Sequence, residues 1–323
     1  MNSHCIRFAR SFIAGLLIAT AAATSAQQYP LRPVRIVTNE PGAGLDFTAR
    51  LIAQRLTTQL GQQVIVENRG GAGGVIAAEL VARATPDGHT LLWHNNAIWT
   101  QPLLKSVPYD PLRDLAPITQ GTVAPNILVV HPNVPAKSMS EFLALVNARP
   151  GEINFVSGGA GSPTHLAAAL LAHMANINIV HIPYKGSGPA MTALLGGEGQ
   201  MMFTVSNGGL PHIRLGRVRA LAVSSAQPSA LLPGVPTVAA SGVPGYEAAT
   251  IQGLFAPAKT PPAVIARLHR EAVAVLNRTD VKEKLFSLAT EVVAGTPAQF
   301  TSVITGDMTR LAKLIKDAGI RSD

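Results

Sequence analysis

The chain has 323 residues, 47% of them hydrophobic and 14% charged, with 26 Lys and Arg against 18 Asp and Glu for a formal net charge of +8. That length allows a large core and sits near the size at which chains divide into two domains. The basic residues are scattered with no long Lys/Arg tract, which argues against a nucleic-acid partner, and a mild positive field fits a receptor for small anions.

The first residues read as an export signal. Arg7 and Arg10 precede an apolar run from Phe12 to Ala23, and Thr24, Ser25 and Ala26 close it with small residues. The run is too short for a membrane span, which needs about 20 apolar residues. Cleavage is expected after Ala26, leaving Gln27 first and 297 of 323 residues. Removing Arg7 and Arg10 from 26 basic residues leaves 24 against 18 acidic ones, a net charge of +6. Cys5 lies in the removed segment with no lipobox around it, so the exported chain carries no cysteine. Disulfides and thiol chemistry are excluded, and stability must come from packing. No later segment is apolar enough to insert the mature chain into a membrane.

Val34 to Val37 reads as a strand, and Asp46 to Leu60 as a helix with Phe47, Leu51, Ile52, Leu56 and Leu60 on one face and Gly61 as its stop. Val64 to Glu67 is a strand, Val75 to Ala84 a helix, Pro86-Asp87-Gly88 a turn and Thr90 to Trp93 a strand. This β-α-β-α-β series calls for parallel pairing with helices on both faces. Pro102 to Pro117 reads as a loop. A second series follows, with strands at Ile127–Val130, Ile153–Val156, Ile177–Ile182, Met201–Val205 and Arg219–Val223. Its helices are Ser140–Ala148, Thr164–Asn176, Pro189–Leu195 and roughly Gly209–Leu215. Pro228 to Pro244 is a second proline-rich crossing. Helices Pro262–Leu276, Asp280–Leu288 and Pro297–Ala318 end the chain, with Glu291 to Val293 as a further strand. The expected fold class is α/β in two lobes, each a mainly parallel sheet flanked by helices. The first lobe takes residues 27–126 and 226–323, the second residues 127–225.

Three segments run from a strand through a glycine-rich elbow into a helix: Pro41 to Gly44, Gly70 to Gly74 and Gly158 to Ser162. Each bares backbone N–H groups at a helix start, where the macrodipole favours negative charge. None completes a nucleotide fingerprint. Phe47 and Ile76 stand where G-x-G-x-x-G needs its third glycine, and no G-x-x-x-x-G-K-[ST] occurs. An anionic ligand is implied without ATP or NAD, and no cofactor is called for. In such folds ligands sit beyond the carboxyl ends of parallel strands, so facing elbows on two lobes would let one ligand close both.

The same segments resemble the Bug-type receptors, the periplasmic solute-binding components of tripartite tricarboxylate transporters. The resemblance rests on Pro41-Gly42-Ala43-Gly44-Leu45-Asp46, Val66-Glu67-Asn68-Arg69 with Gly70 to Gly74, Pro86 to Leu92, Pro108-Tyr109-Asp110-Pro111 with Ala116 to Ile118, Ser157 to His165, His181 to Ser187, and Pro236-Thr237-Val238 with Pro244-Gly245-Tyr246. It implies a type II periplasmic-binding-protein fold of Venus-flytrap kind, a cleft for a small carboxylate, delivery to membrane permease subunits, a periplasmic location and a monomer. Carried over, the ligand-holding positions fall on Ala43, Gly44 and Asp46 in the first lobe. In the second they fall on Ser157, Gly161, Ser162, Thr164 and His165, with Tyr184 close by. Thr204 stands where relatives commonly have an aspartate, which points to a ligand without a cationic amine.

Each residue has a plainer reading. Asp46, Ser162 and Thr164 suit helix caps, and Pro163 suits a first helical turn. Asn95, after the strand ending at Trp93, offers donors to a second ligand carboxylate, whereas Asn96 suits a turn. Ser162 with His165 invites a serine hydrolase, but no G-x-S-x-G elbow and no neighbouring acid support one. His89 and His94 make no metal motif. The reading is a receptor for a small organic carboxylate that performs no catalytic step. The alternatives are a receptor that presents its ligand to a sensor kinase, and an exported serine hydrolase.

Overall fold

The structure is a computed structural model and describes residues 29–320 apart from 43, 230, 231 and 318. The expected export signal and its cleavage site lie outside the described residues, as does Ala43.

The first series folds as β1 (Val34–Thr38), α1 (Gly44–Leu60), β2 (Val64–Asn68), α2 (Val75–Ala82) and β3 (Thr90–Asn95), with β1 parallel to both β2 and β3. Gly61, at φ +67°, stops α1 as expected. The buried face of α1 is Leu45, Ala49, Ile52, Leu56 and Leu60; Phe47 is only half-buried, with the Lys284 ammonium 6.0 Å from its ring centre.

The expected loop from Pro102 to Pro117 is a correction. Residues Ala97–Leu104 form α3 with Pro102 inside it, and Leu115–Val130 form β4, a strand of 16 residues. Pro102 has no N–H to give the Ile98 carbonyl one turn earlier, and the Tyr109 hydroxyl donates to that carbonyl instead at 2.8 Å. Pro117 is tolerated in β4 because the register against its partner strand shifts there.

The second series is α4 (Met139–Ala148), β5 (Asn154–Ser157), α5 (Pro163–Ala175), β6 (Val180–Pro183), α6 (Ser187–Gly196), β7 (Met201–Val205), α7 (Ser206–Arg214) and β8 (Arg219–Val223). The chain returns through β9 (Ala249–Pro257), a strand the propensity reading leaves out. It ends in α8 (Pro262–Leu276), α9 (Thr279–Phe286), β10 (Glu291–Val292) and α10 (Pro297–Asp317).

The strand order is β2-β1-β3-β9-β4-β7-β5-β6, with β8 and β10 also paired to β4. The outer triplets are parallel, while β9 and β4 run antiparallel to their neighbours. β4 serves both lobes: Leu115 to Pro125 pair with β9, and Asn126 to Val130 pair with β7. Alternate residues feed separate cores. Ile36, Leu91 and Leu254 join one cluster and Val37, Leu92 and Phe255 another; Leu128 and Phe203 join a third, Ile127 and Met202 a fourth. Sheets covered on both faces need apolar residues at consecutive positions, which explains strands that do not alternate. The molecule is an α/β protein of two lobes joined through β4 and β9.

Candidate functional site

Between the lobes lies a cavity of about 160 Å³, and five helix starts converge on it. Its wall takes Gly44 and Leu45 from α1, Ala97 from α3, Ser162 to Thr164 from α5, Gly186 to Gly188 from α6, and Asn207 with Gly208 from α7. No Lys or Arg stands among these described wall residues. Aligned peptide dipoles at these helix starts are therefore what favours an anion here.

Of the anticipated residues, Gly44, Asn95, Ser162, Thr164 and Thr204 line the cavity. Ser162 is the N-cap of α5: its Oγ accepts from the His165 N–H at 3.2 Å. Thr164 Oγ1 accepts from the Gly158 N–H at 3.1 Å, tying the elbow to its helix. Thr204, buried at the end of β7, places its Oγ1 3.3 Å from the Val205 carbonyl. Asn95 Oδ1 accepts from the Ala97 N–H, the first of α3, at 3.1 Å.

Asp46, Ser157, Gly161, His165 and Tyr184 lie outside the wall. The Asp46 carboxylate accepts from the Gly42 N–H at 3.1 Å, Arg50 Nε at 3.0 Å and Asn68 Nδ2 at 2.8 Å. Burial opposes its ionisation, but those donors prevail and hold its pKa below the usual carboxylate range. Its role is to order the first elbow. Ser157 Oγ lies 2.6 Å from His181 Nε2, and the Gly161 N–H donates to His165 Nδ1 at 3.0 Å. His165 and His181 stack 4.1 Å apart beside the Gly158 to Ser162 elbow. Burial, followed by the charge of His181, lowers the His165 pKa to about 3. Tyr184 turns to solvent, where its hydroxyl donates to Glu198 at 2.7 Å. Asn96 also faces away; its Nδ2 donates to the Ala249 carbonyl at 3.3 Å.

Several wall residues escape sequence reasoning: Asn39, Glu40, Asn207, His212, Thr250 and Gln252. Asn207 had a weak signal, because Val205 to Gly208 is a fourth strand-to-helix elbow without a run of glycines. Glu40 had none. It supplies from the β1 side the carboxylate that Thr204 withholds, so the argument from Thr204 against a cationic ligand no longer holds. Burial raises the Glu40 pKa, partly offset by hydrogen bonds from the Glu40 and Ser187 backbone N–H groups.

Residues 48–320 match the profile of the tripartite tricarboxylate transporter family receptor. The chain belongs to that family. Protein BugT of Bordetella pertussis is 37% identical to this receptor over 316 residues, covering 96% of this chain and 97% of its own. The structure of R. palustris Rpa4515 with adipate superposes with a TM-score of 0.88 at 32% identity, over 91% of this chain and 99% of that one. MatC from Rhodopseudomonas palustris with bound malate gives 0.85 at 30% identity, over 89% and 100%. The receptor is a solute-binding protein, not an enzyme. The hydrolase alternative falls with that result, and the geometry agrees: the His165 ring nitrogen accepts from the Gly161 N–H, while Ser162 Oγ takes the His165 backbone N–H.

Proposed function

We propose that this receptor binds a small organic carboxylate in the interlobe cavity and presents it to the permease subunits of a tripartite transporter. The observation that carries this reading is the convergence of five helix starts on a cavity whose described wall holds no Lys or Arg. Such a site stabilises an anion through peptide N–H groups that need no reorganisation. A micromolar affinity asks for about 8 kcal/mol of net binding free energy, within reach of several N–H and hydroxyl contacts. The adipate and malate held by the two structural relatives support a carboxylate as ligand class. Gly44, Asn95, Ser162, Thr164 and Thr204 are the wall contacts, with Ala43 next to Gly44 in sequence.

In this reading the chain is exported to the periplasm, cleaved near Ala26, and works as a monomer without a cofactor. The lobes divide within β4 near Asn126. Val238, Val243, Tyr246 and Ala248 pack into the core of the second lobe, which supports a return crossing at the start of β9, later than residue 226. Isothermal calorimetry against mono-, di- and tricarboxylates is the test. A saturable heat with at least one acid is expected, and silence with all of them would remove the carboxylate reading.

A further inference from the structure

Glu40 is the one carboxylate among the described residues that line the cavity. It follows β1 in the first lobe, yet its side chain reaches the start of α6 in the second, where the Ser187 N–H donates to it. The neighbouring backbone is cut away to seat it. A Cβ on Gly186 would collide with Glu40 Oε1, and one on Gly70 would lie 2.7 Å from Oε2. Gly186 caps α6 at φ +129° with no side-chain hydrogen bond, so the anion that complements this helix start comes from the other lobe. Oε2 packs toward Gly70, outside the cavity wall, so Oε1, beside the wall residue Gly186, is the carboxylate oxygen that meets the cavity.

We propose that Glu40 determines which ligands the cavity accepts: one end of the ligand is a carboxylate held by the other helix starts, and the end facing α6 bears a hydrogen-bond donor, a hydroxyl or amide N–H, instead of a second carboxylate. The inference rests on the carboxylate reading above. The α6 start already holds an anion, so a second ligand carboxylate there would meet a like charge beside the half-buried Glu40. A donor would instead pair with Oε1.

The test is calorimetry at pH 7.5 with two matched pairs, adipate against its monoamide adipamate and succinate against succinamate, on the wild type, Glu40→Gln and Glu40→Asp. The wild type is expected to bind one monoamide at least about tenfold tighter than its dicarboxylate, and Glu40→Gln to move that ratio about tenfold or more toward the dicarboxylate. Glu40→Asp keeps the charge and is expected to keep the wild-type direction of preference, which separates charge from damage to the fold. Measurable binding with the same ratio in wild type and Glu40→Gln overturns the role of Glu40 and leaves the carboxylate reading standing. Failure of all three proteins to bind any of the four acids overturns the role of Glu40, and the wider panel of mono-, di- and tricarboxylates then decides the carboxylate reading.

Discussion

Asn207 Nδ2 donates to the Gly44 carbonyl across 3.2 Å, joining the start of α7 in the second lobe to the start of α1 in the first. The fit is close, since a Cβ on Gly44 would collide with Asn207 Oδ1. Gln101 Nε2 makes a second bridge, donating to the Ala160 carbonyl at 2.6 Å. These bonds add to the shared strands β4 and β9, to the Arg214 guanidinium on the Ser287 carbonyl and to the apolar cluster of Leu166 with Leu311 and Leu314. Each such bond contributes about 1 kcal/mol net, so a ligand's differential affinity can readily tilt the balance between open and closed forms.

Asn207→Ala should therefore loosen the cleft with little loss of fold. The expected fall in Tm is about 2–4 °C, because a chain of this size shifts by that much per kcal/mol. The ligand-free variant should show a larger radius of gyration by small-angle scattering. A scattering curve identical to that of the wild type would mean that the Asn207–Gly44 bond does not hold the lobes closed.

Asp46 gives a contrasting outcome. Its three donors lie within the first lobe and its carboxylate is outside the cavity wall. Asp46→Ala leaves the Gly42 N–H and Asn68 amide without their acceptor, at an expected cost of about 1–2 kcal/mol, reduced from the buried-charge figure because Arg50 is half exposed. Thermal melting should show this loss without ligand. A variant as stable as the wild type would show that the elbow orders itself without the carboxylate.

How far the sequence could be read depends on the range of the interactions. The strand β1, the α1 stop at Gly61 and the Ser162-Pro163 start of α5 follow from neighbouring residues, and all three are legible. α3, the length of β4 and all of β9 are not. Pro102 and Pro117 signal a break locally, and only tertiary partners, the Tyr109 hydroxyl and a register shift against β9, remove its cost. The site divides in the same way. Gly44, Ser162 and Thr164 announce themselves through their elbows. Gln252 reaches the wall through folding over a long separation, and Glu40, although it directly precedes the first elbow, is an acid where that elbow announces an anion site.

Two buried histidines predict a pH dependence. Burial lowers the His94 pKa to about 4 and, with the charge of His181, lowers that of His165 to about 3. An unfolded histidine titrates near 6.5. Between about pH 6.5 and 4 the unfolded chain binds more protons at both positions. Their contribution is thus fully present above about pH 6.5 and is lost as pH falls, by up to ~1.4 kcal/mol per pH unit for each. Calorimetric melting from pH 7.5 to 4.5 should show a shallower decline for His165→Gln than for the wild type. Equal slopes would show that His165 titrates alike in the folded and unfolded chains.

Thr204 tests the sign of the field in the cavity. The residue is buried at the end of β7 and lines the wall, with its Oγ1 3.3 Å from the Val205 carbonyl. Thr204→Val removes only a hydroxyl from that wall and should weaken binding of a carboxylate by less than about tenfold. Thr204→Asp adds a second fixed negative charge where helix dipoles alone supply the attraction, and should weaken the same ligand by well over tenfold at pH 7.5. The gap between the two should change little with added salt, because a partly buried pair is poorly screened. Calorimetry on the two variants settles the matter: if Thr204→Asp binds an organic acid as well as Thr204→Val does, the anion lies away from the end of β7, and the helix starts nearest that strand are not what hold it.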